Sequence, residues 1–252
     1  MKRYGLAAVL AASALFGVGN AYATPVSLEL ALLVDVSGSV NSTEYALQKT
    51  GYVDAFNNAS IQTAIASLTG GIAVTYIEWS GSSQQVQKVG WTHLTDAASA
   101  SAFASSINSV SRTFSGATAP GSAIAFTTPK FSNNGFEGNR WVIDVSGDGR
   151  QNSGVNTAGA RDDFLNTSSG TEGLTKAVNG LAIGGSSITN WYNSNIKGGT
   201  NAFVTQAANF ADFGQAVQTK IGKEVKGTVP EPATLALLGI GLAGLGFSRR
   251  KA

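Results

Sequence analysis

The sequence predicts an α/β fold with three layers: a doubly wound, mostly parallel sheet with one antiparallel edge strand. Four short apolar runs have the composition of strands that are buried on both faces, at 28–34, 72–79, 141–145 and 178–183. Stretches with helical patterning separate these runs. Strands that alternate with helices favour parallel pairing with helices on both faces of the sheet.

The helices and the edge strand are predicted from capping and turn residues. Asn41 and the Ser-Thr-Glu that follows it are typical of a helix start, and helical patterning continues to about residue 68. Residues 84–91 follow a Ser/Gly-rich turn and alternate weakly, which predicts an antiparallel hairpin partner at the sheet edge. Asp96 would cap the next helix. The remaining predicted elements are helices over 97–110, 121–127 and 210–226 and a short strand over 202–204.

Both ends of the chain have the composition of targeting segments. Residues 1–23 combine a basic start, an apolar run and a closing Ala-Tyr-Ala, which is typical of a secretory signal peptide. Residues 227–252 contain a Pro-Glu-Pro box, the apolar segment 233–247 and the basic end Arg-Arg-Lys. Fifteen helical residues rise only about 22 Å, less than the roughly 30 Å hydrocarbon core, so this segment is a marginal membrane span. One domain is therefore predicted over 24–226.

The order of Pro-Glu-Pro box, membrane segment and basic cluster resembles the PEP-CTERM sorting signal of Gram-negative bacteria. The resemblance implies export across the inner membrane, a transient association with that membrane and processing of the tail by an exosortase. The implied final location is extracellular or at the cell surface. A simple tail anchor is the alternative, and it leaves the Pro-Glu-Pro box without a role.

Charge and composition exclude several classes of function. Of 17 basic and 15 acidic residues, five and one lie in the terminal segments, which leaves 12 and 14 and a net charge of −2. A body of this charge is unsuited to neutralising phosphates, so no nucleic-acid partner is expected. The absence of Cys and the single His, His93, exclude disulfides, thiolate chemistry and multi-histidine metal sites. We expect His93 to be an exposed turn residue rather than a catalytic base.

Oxygen-bearing side chains follow the first predicted strand. Asp35, Ser37 and Ser39 alternate along the chain, so all three can point the same way from an extended turn. Carboxylate and hydroxyl oxygens suit Mg²⁺, Mn²⁺ or Ca²⁺ rather than zinc. In doubly wound sheets, sites form where loops leave the carboxyl ends of strands. Taken alone, the pattern also fits a loop that caps a helix.

With two later segments, this pattern resembles the metal-ion-dependent adhesion site of the von Willebrand factor type A superfamily, in an uncharacterised bacterial branch. Asp35, Ser37 and Ser39 match its first element, Thr118 the second, and Asp148 before a Gly the third. The resemblance covers roughly 28–225 and implies a Rossmann-like, von Willebrand type A-like fold. It also implies a cation, Mg²⁺ or else Mn²⁺ or Ca²⁺, that Asp148 ligates directly or through water and the other four residues ligate directly.

The third element departs from the common pattern of the superfamily, which has a Thr directly before the Asp where this chain has Gly147. Asp144 lies inside the preceding strand, so either Asp144 or Asp148 could be the third-loop ligand. A bare carboxylate inside a buried strand is costly without a partner. This favours Asp148 as the ligand and Asp144 as a hydrogen-bonded structural group.

The resemblance implies cation-dependent adhesion or protein recognition, with an acidic side chain of a protein partner completing the coordination. Nothing in the predicted set is a general base, so we expect a binding module without catalytic residues. Two alternatives stay open. One is a metal-assisted hydrolase that uses His93 as its base, and the other is a structural extracellular-matrix protein whose metal site only stiffens the loops.

Overall fold

The computed structural model describes residues 23–227. The predicted signal peptide and the predicted tail, with its apolar segment 233–247, therefore lie outside the described residues except at their inner boundaries. Within 23–227, none of the helices has the length and apolar composition needed to cross a membrane.

The described chain contains nine strands, which form two sheets. In chain order they are β1 (Thr24–Val26), β2 (Leu28–Asp35), β3 (Ile72–Trp79), β4 (Gln85–Leu94), β5 (Phe136–Gly138), β6 (Arg140–Gly147), β7 (Thr175–Ile183), β8 (Gly198–Gly199) and β9 (Val204–Ala207). The larger sheet has the order β4-β3-β2-β6-β7, with β8 and β9 both paired to β7. Only β4 and the two-residue β8 are antiparallel to their neighbours. Strands β1 and β5 form a separate parallel pair.

Helices cover both faces of the larger sheet. They are α1 (Ser42–Asn57), α2 (Ala59–Ala66), α3 (Ala97–Asn108), α4 (Pro120–Thr127), α5 (Thr157–Asn166), α6 (Ser186–Asn195) and α7 (Phe213–Lys226). Buried side chains of α1, α2, α3 and α7 belong to one core, and those of α4 and α5, with Tyr192 of α6, belong to the other. The predicted three-layer, mostly parallel fold is therefore confirmed.

Strand β2 shows why the sheet lies at the centre. All eight of its residues are buried. Leu30 and Leu32 belong to the core under α1 and α7, whereas Ala31 and Leu33 belong to the core under α4 and α5. Because successive side chains of a strand point to opposite faces, a continuous apolar run is what a strand covered on both sides requires.

The predicted helix caps are present. The side-chain oxygen of Asn41 accepts hydrogen bonds from the N–H groups of Thr43 and Glu44, and the Glu44 carboxylate accepts one from the N–H of Asn41. Asp96 accepts a hydrogen bond from the N–H of Ser99 at the start of α3. These side chains satisfy N–H groups that have no partner within the helix, which fixes where each helix begins.

Several elements differ from the sequence prediction. The sequence did not predict helices α5 and α6, which are rich in Ser, Thr, Asn and Gly or charged residues and so lack a continuous apolar stripe. The last helix begins at Phe213 instead of residue 210, because the side chain of Asn209 accepts hydrogen bonds from the N–H groups of Ala211 and Asp212 and holds a turn there. The last strand is Val204–Ala207 rather than 202–204.

His93 is not the exposed turn residue that the sequence predicted. It lies within strand β4, half-buried, with Nε2 2.7 Å from the carbonyl oxygen of Gly70 and its ring 5.6 Å from that of Phe136. The strand continues to Leu94 because β4 stays paired with β3 beyond residue 91. His93 pairs with Ala73 near the start of β3, whereas Asp35 pairs with Trp79 at its end. His93 therefore lies at the opposite end of strand β3 from Asp35.

Candidate metal site

The candidate site lies at the carboxyl ends of the two central strands. Strand β2 pairs with β3 on one side and with β6 on the other, so the order of the strands reverses at β2. Loops diverge at such a switch point and leave a crevice. Asp35 is the last residue of β2, Asp148 follows the last residue of β6, and Thr118 precedes α4.

The fold brings the five predicted site residues together. The hydroxyl oxygens of Thr118 and Ser37 are 3.4 Å apart, and those of Ser37 and Ser39 are 3.2 Å apart. Ser39 donates a hydrogen bond of 2.7 Å to Oδ1 of Asp148. Asp35 accepts a hydrogen bond of 2.7 Å from the N–H of Ser37 through Oδ1. Oxygen atoms from three separate loops thus form one continuous cluster.

Residues that the sequence analysis missed hold these loops in place. Arg112 donates two hydrogen bonds of 2.8 Å, to the carbonyl oxygens of Val36 and Ser37. Asn152 accepts a hydrogen bond of 2.8 Å from the N–H of Thr118, and its own N–H donates to the Thr118 carbonyl oxygen. No local pattern marks Arg112 or Asn152, because each acts on a loop far away in the chain.

The electrostatics of the site favour a cation. Asp35 is fully buried, and its pKa is raised from 3.8 to about 7. Burial is the main cause; hydrogen bonds from Ser37 lower the pKa, and the nearby charge of Asp148 raises it. Burial also raises the pKa of Asp148, against the hydrogen bond from Ser39. A positive charge between two carboxylates favours their ionised forms. A bound cation would therefore offset the cost of burying these two charges.

The residues fit a divalent cation bound through oxygen. Oδ2 of Asp35 is buried and has no hydrogen-bond partner among the described residues. Neighbouring ligands of one Mg²⁺ or Ca²⁺ ion, at about 2.1–2.4 Å from it, stand about 3.0–3.4 Å apart when they are at right angles, and the hydroxyl spacings match this. Within 23–227, no group of three or more His, Cys, Asp or Glu could hold a metal. Any ion here must therefore rely on the hydroxyl groups as well.

One side of the cluster faces solvent. Asp35 and Ser37 are completely buried and Thr118 is nearly so, whereas Ser39 is exposed and Asp148 is half-buried. A ligand from outside can therefore approach along the side of Ser39 and Asp148.

Asp144 belongs to a different cluster. It is fully buried in the middle of β6, and its Oδ1 is 2.5 Å from Nζ of Lys220 on α7. Lys220 is also 2.5 Å from Oε1 of Glu224, which accepts a hydrogen bond from Asn179. The pKa of Asp144 is raised to about 7, mainly by burial and also by the charge of Glu224, while Lys220 lowers it. Asp144 thus makes a buried ion pair with Lys220, and its structural rather than ligating role stays a prediction.

Comparison with protein families gives two matches. The family described as "Protein of unknown function (DUF1194)" matches residues 25–229, and the motif described as "PEP-CTERM protein-sorting motif" matches residues 228–251. No curated protein is similar enough to the chain to be matched with it.

Solved structures with the same fold include proteins of adhesion and of extracellular material. Proximal thread matrix protein 1 from the mussel byssus has a TM-score of 0.57 at 16% identity, over 81% of this chain and 47% of that one. The pilus adhesin SpaC from Lactobacillus rhamnosus GG has a TM-score of 0.52 at 15% identity, over 79% and 30%. One structure of the mussel protein is described as having a zinc-occupied MIDAS (metal-ion-dependent adhesion site) motif. It has a TM-score of 0.53 at 16% identity, over 79% of this chain and 45% of that one.

At these identities the likeness shows the fold alone. The chain spans less than half the length of either of these two proteins.

Proposed function

The chain belongs to the family described as "Protein of unknown function (DUF1194)", which is von Willebrand type A-like, and we propose that it binds an acidic protein partner through a divalent cation. Its PEP-CTERM motif indicates export across the inner membrane and a surface or extracellular location. The proposed role is therefore recognition or adhesion outside the inner membrane.

The observation that carries this proposal is the cluster of side-chain oxygens at the switch point of the sheet. Asp35, Ser37, Ser39 and Thr118 would hold the cation directly, and Asp148 directly or through water. When bound, the cation supplies a positive centre for an oxygen ligand from outside. Because the two carboxylates only neutralise a divalent ion, a carboxylate of a partner can still be attracted to the open side.

The surface beside the cluster also favours an acidic partner. Arg150 is exposed and follows Asp148 by two residues. It is held by hydrogen bonds of 2.5 and 3.2 Å to the hydroxyl and the carbonyl oxygen of Ser187 at the start of α6. This positive charge, on a residue close in the chain to Asp148, attracts acidic groups, while the charge of Glu44 near Asp148 acts against it.

Calorimetry with Mg²⁺ and Mn²⁺ tests the cation site. Asp35→Ala should abolish binding, since it removes one of the two carboxylates, whereas Asp54→Ala should leave the affinity unchanged. Asp54 is exposed on α1 and serves as the matched control. Unchanged affinity in Asp35→Ala would place the cation elsewhere.

A capture experiment tests the partner. The protein is used to capture material from the extracellular matrix of its own organism, with Mg²⁺ or with a chelator. We expect acidic proteins to be retained only with Mg²⁺, and retention that survives both the chelator and Asp35→Ala would contradict cation-dependent recognition.

The second candidate is a structural matrix role for the same cation. Ser39 is exposed, so a ligand from outside could reach the cation, and this favours recognition. Acetate should compete with the partner for the Mn²⁺-loaded protein if one coordination position of the cation is open. A site that only stiffens the loops would show no effect of acetate. The hydrolase alternative loses its proposed base, because His93 lies at the opposite end of strand β3 from Asp35.

We also propose that an exosortase removes the tail, so that the mature protein lacks 1–23 and the apolar segment 233–247. Its net charge would then be about −2, from the 12 basic and 14 acidic residues of the body. Mass spectrometry of the membrane and extracellular fractions measures the two ends directly. Recovery of the terminal Arg-Arg-Lys on most of the mature protein would instead indicate a permanent tail anchor.

A further inference from the structure

Helix α6 places a buried tyrosine next to the candidate metal site. Tyr192 is fully buried, and its hydroxyl has no hydrogen-bond partner among the described residues. A buried hydroxyl without a partner costs free energy, and such groups often have a functional reason. Oδ2 of Asp35 is also buried without a hydrogen-bond partner among the described residues.

Both orphan atoms face the same glycine. A Cβ atom added at Gly147 would stand 2.6 Å from Oδ2 of Asp35 and 2.7 Å from the hydroxyl oxygen of Tyr192. The two oxygens are therefore no further apart than the sum of these two distances, which one bridging water can span. Because Gly147 has no side chain, this space is left to the tyrosine hydroxyl.

A second glycine makes room for the tyrosine ring. A Cβ atom at Gly180 on β7 would stand 2.7 Å from Cδ1 of Tyr192. Gly180 pairs with Val145, two residues before Gly147 on the neighbouring strand. The ring thus lies in a slot that two glycines on adjacent strands leave open, with its hydroxyl at the end of the slot that faces the metal site.

We propose that Tyr192 is a positioning residue for the cation site, which donates a hydrogen bond to Oδ2 of Asp35, directly or through one water, when the cation is bound. The inference rests on the proposed cation site. A carboxylate oxygen can accept more than one hydrogen bond or bond to a cation, so this donor does not compete with ligation. Hydrogen bonds of this kind orient ligands, and their loss typically weakens metal binding 10- to 100-fold.

Calorimetric titration of the exported protein with MnCl₂ tests the inference. Tyr192→Phe should raise the Kd for Mn²⁺ by about 10- to 100-fold. Tyr76→Phe is the matched control, because Tyr76 is also fully buried with an unpartnered hydroxyl but belongs to the opposite core. It should keep the wild-type Kd. In EDTA, the two variants should melt at similar temperatures, since neither hydroxyl has a partner without the cation.

The outcomes separate this inference from the cation site itself. An unchanged Kd in Tyr192→Phe, with binding lost in Asp35→Ala, would overturn the role of Tyr192 and leave the site in place. A melting temperature in EDTA far below that of Tyr76→Phe would show a structural role instead, and would also overturn it. Absence of binding in the wild-type protein would refute the proposed function first.

Discussion

Replacement of Asp35 by Asn should stabilise the cation-free protein and at the same time remove its response to cations. Asp35 is completely buried, with a pKa raised from 3.8 to about 7 by burial. An acid whose pKa is higher in the folded state than in the unfolded state costs stability when the pH rises. The cost is absent below pH 3.8 and complete above about pH 7. Asn has nearly the same shape as Asp but does not ionise.

The size of the effect follows from the difference between the pKa values of Asp35 in the unfolded and the folded state. At 1.36 kcal/mol per pH unit, the ionisable carboxylate costs about 4 kcal/mol at pH 8 and about 2 kcal/mol at pH 5. These are upper values, because a buried Asn amide also needs a partner. Tyr192 offers an unpartnered hydroxyl oxygen beside it.

Urea unfolding in EDTA at pH 5 and pH 8 measures the effect. We expect Asp35→Asn to have a higher free energy of unfolding than the wild type, by a larger margin at pH 8, and the exposed Asp54→Asn to match the wild type at both. With Mg²⁺ at 100 times its Kd, the wild type should gain about 2.7 kcal/mol and Asp35→Asn nothing. A margin that is equal at both pH values, or a variant less stable at both, would refute the argument from burial.

Three further substitutions test the neighbouring groups. Asp148→Asn should abolish Mg²⁺ binding in calorimetry. Asp144→Asn should keep it, because Asp144 contacts Lys220 rather than the site. The assignment of Asp148 as the ligand is wrong if only Asp144→Asn weakens binding. Lys220→Met should lower the free energy of unfolding by about 3 kcal/mol or more in urea, and more at pH 8 than at pH 5, because it leaves two buried carboxylates without their cation. The exposed Lys223→Met on the same helix should stay within about 0.5 kcal/mol of the wild type. Gly147→Ala should cost about 1–3 kcal/mol and weaken Mn²⁺ binding, because its methyl group meets two oxygens at 2.6 and 2.7 Å; a variant with wild-type melting and affinity would contradict the close approach.

The sequence predicted the parts of the fold that depend on short-range signals. The apolar run of β2, broken only by Glu29, predicts a strand buried on both faces. The side chains of Asn41 and Asp96 predict helix starts within three residues of themselves. Helices α5 and α6 carry no such marks. Helix α6 is fixed mainly by the packing of Tyr192 into the core between strands, and a pattern along the chain does not contain that contact.

At the candidate site, the sequence alone identifies the oxygen-bearing side chains, whereas the folding of the chain brings them together. Asp35, Ser37 and Ser39 are close in the chain, so their oxygens are recognisable as a group before any fold is known. Asp148 meets Ser39 across 109 residues, and Thr118 meets Ser37 across 81. Composition and periodicity carry information about residues that are close in the chain. The order of the strands in the sheet, in contrast, sets which distant loops share a crevice. The folded chain also brings Arg112 against the loop of Val36 and Ser37 and pairs Asp144 with Lys220.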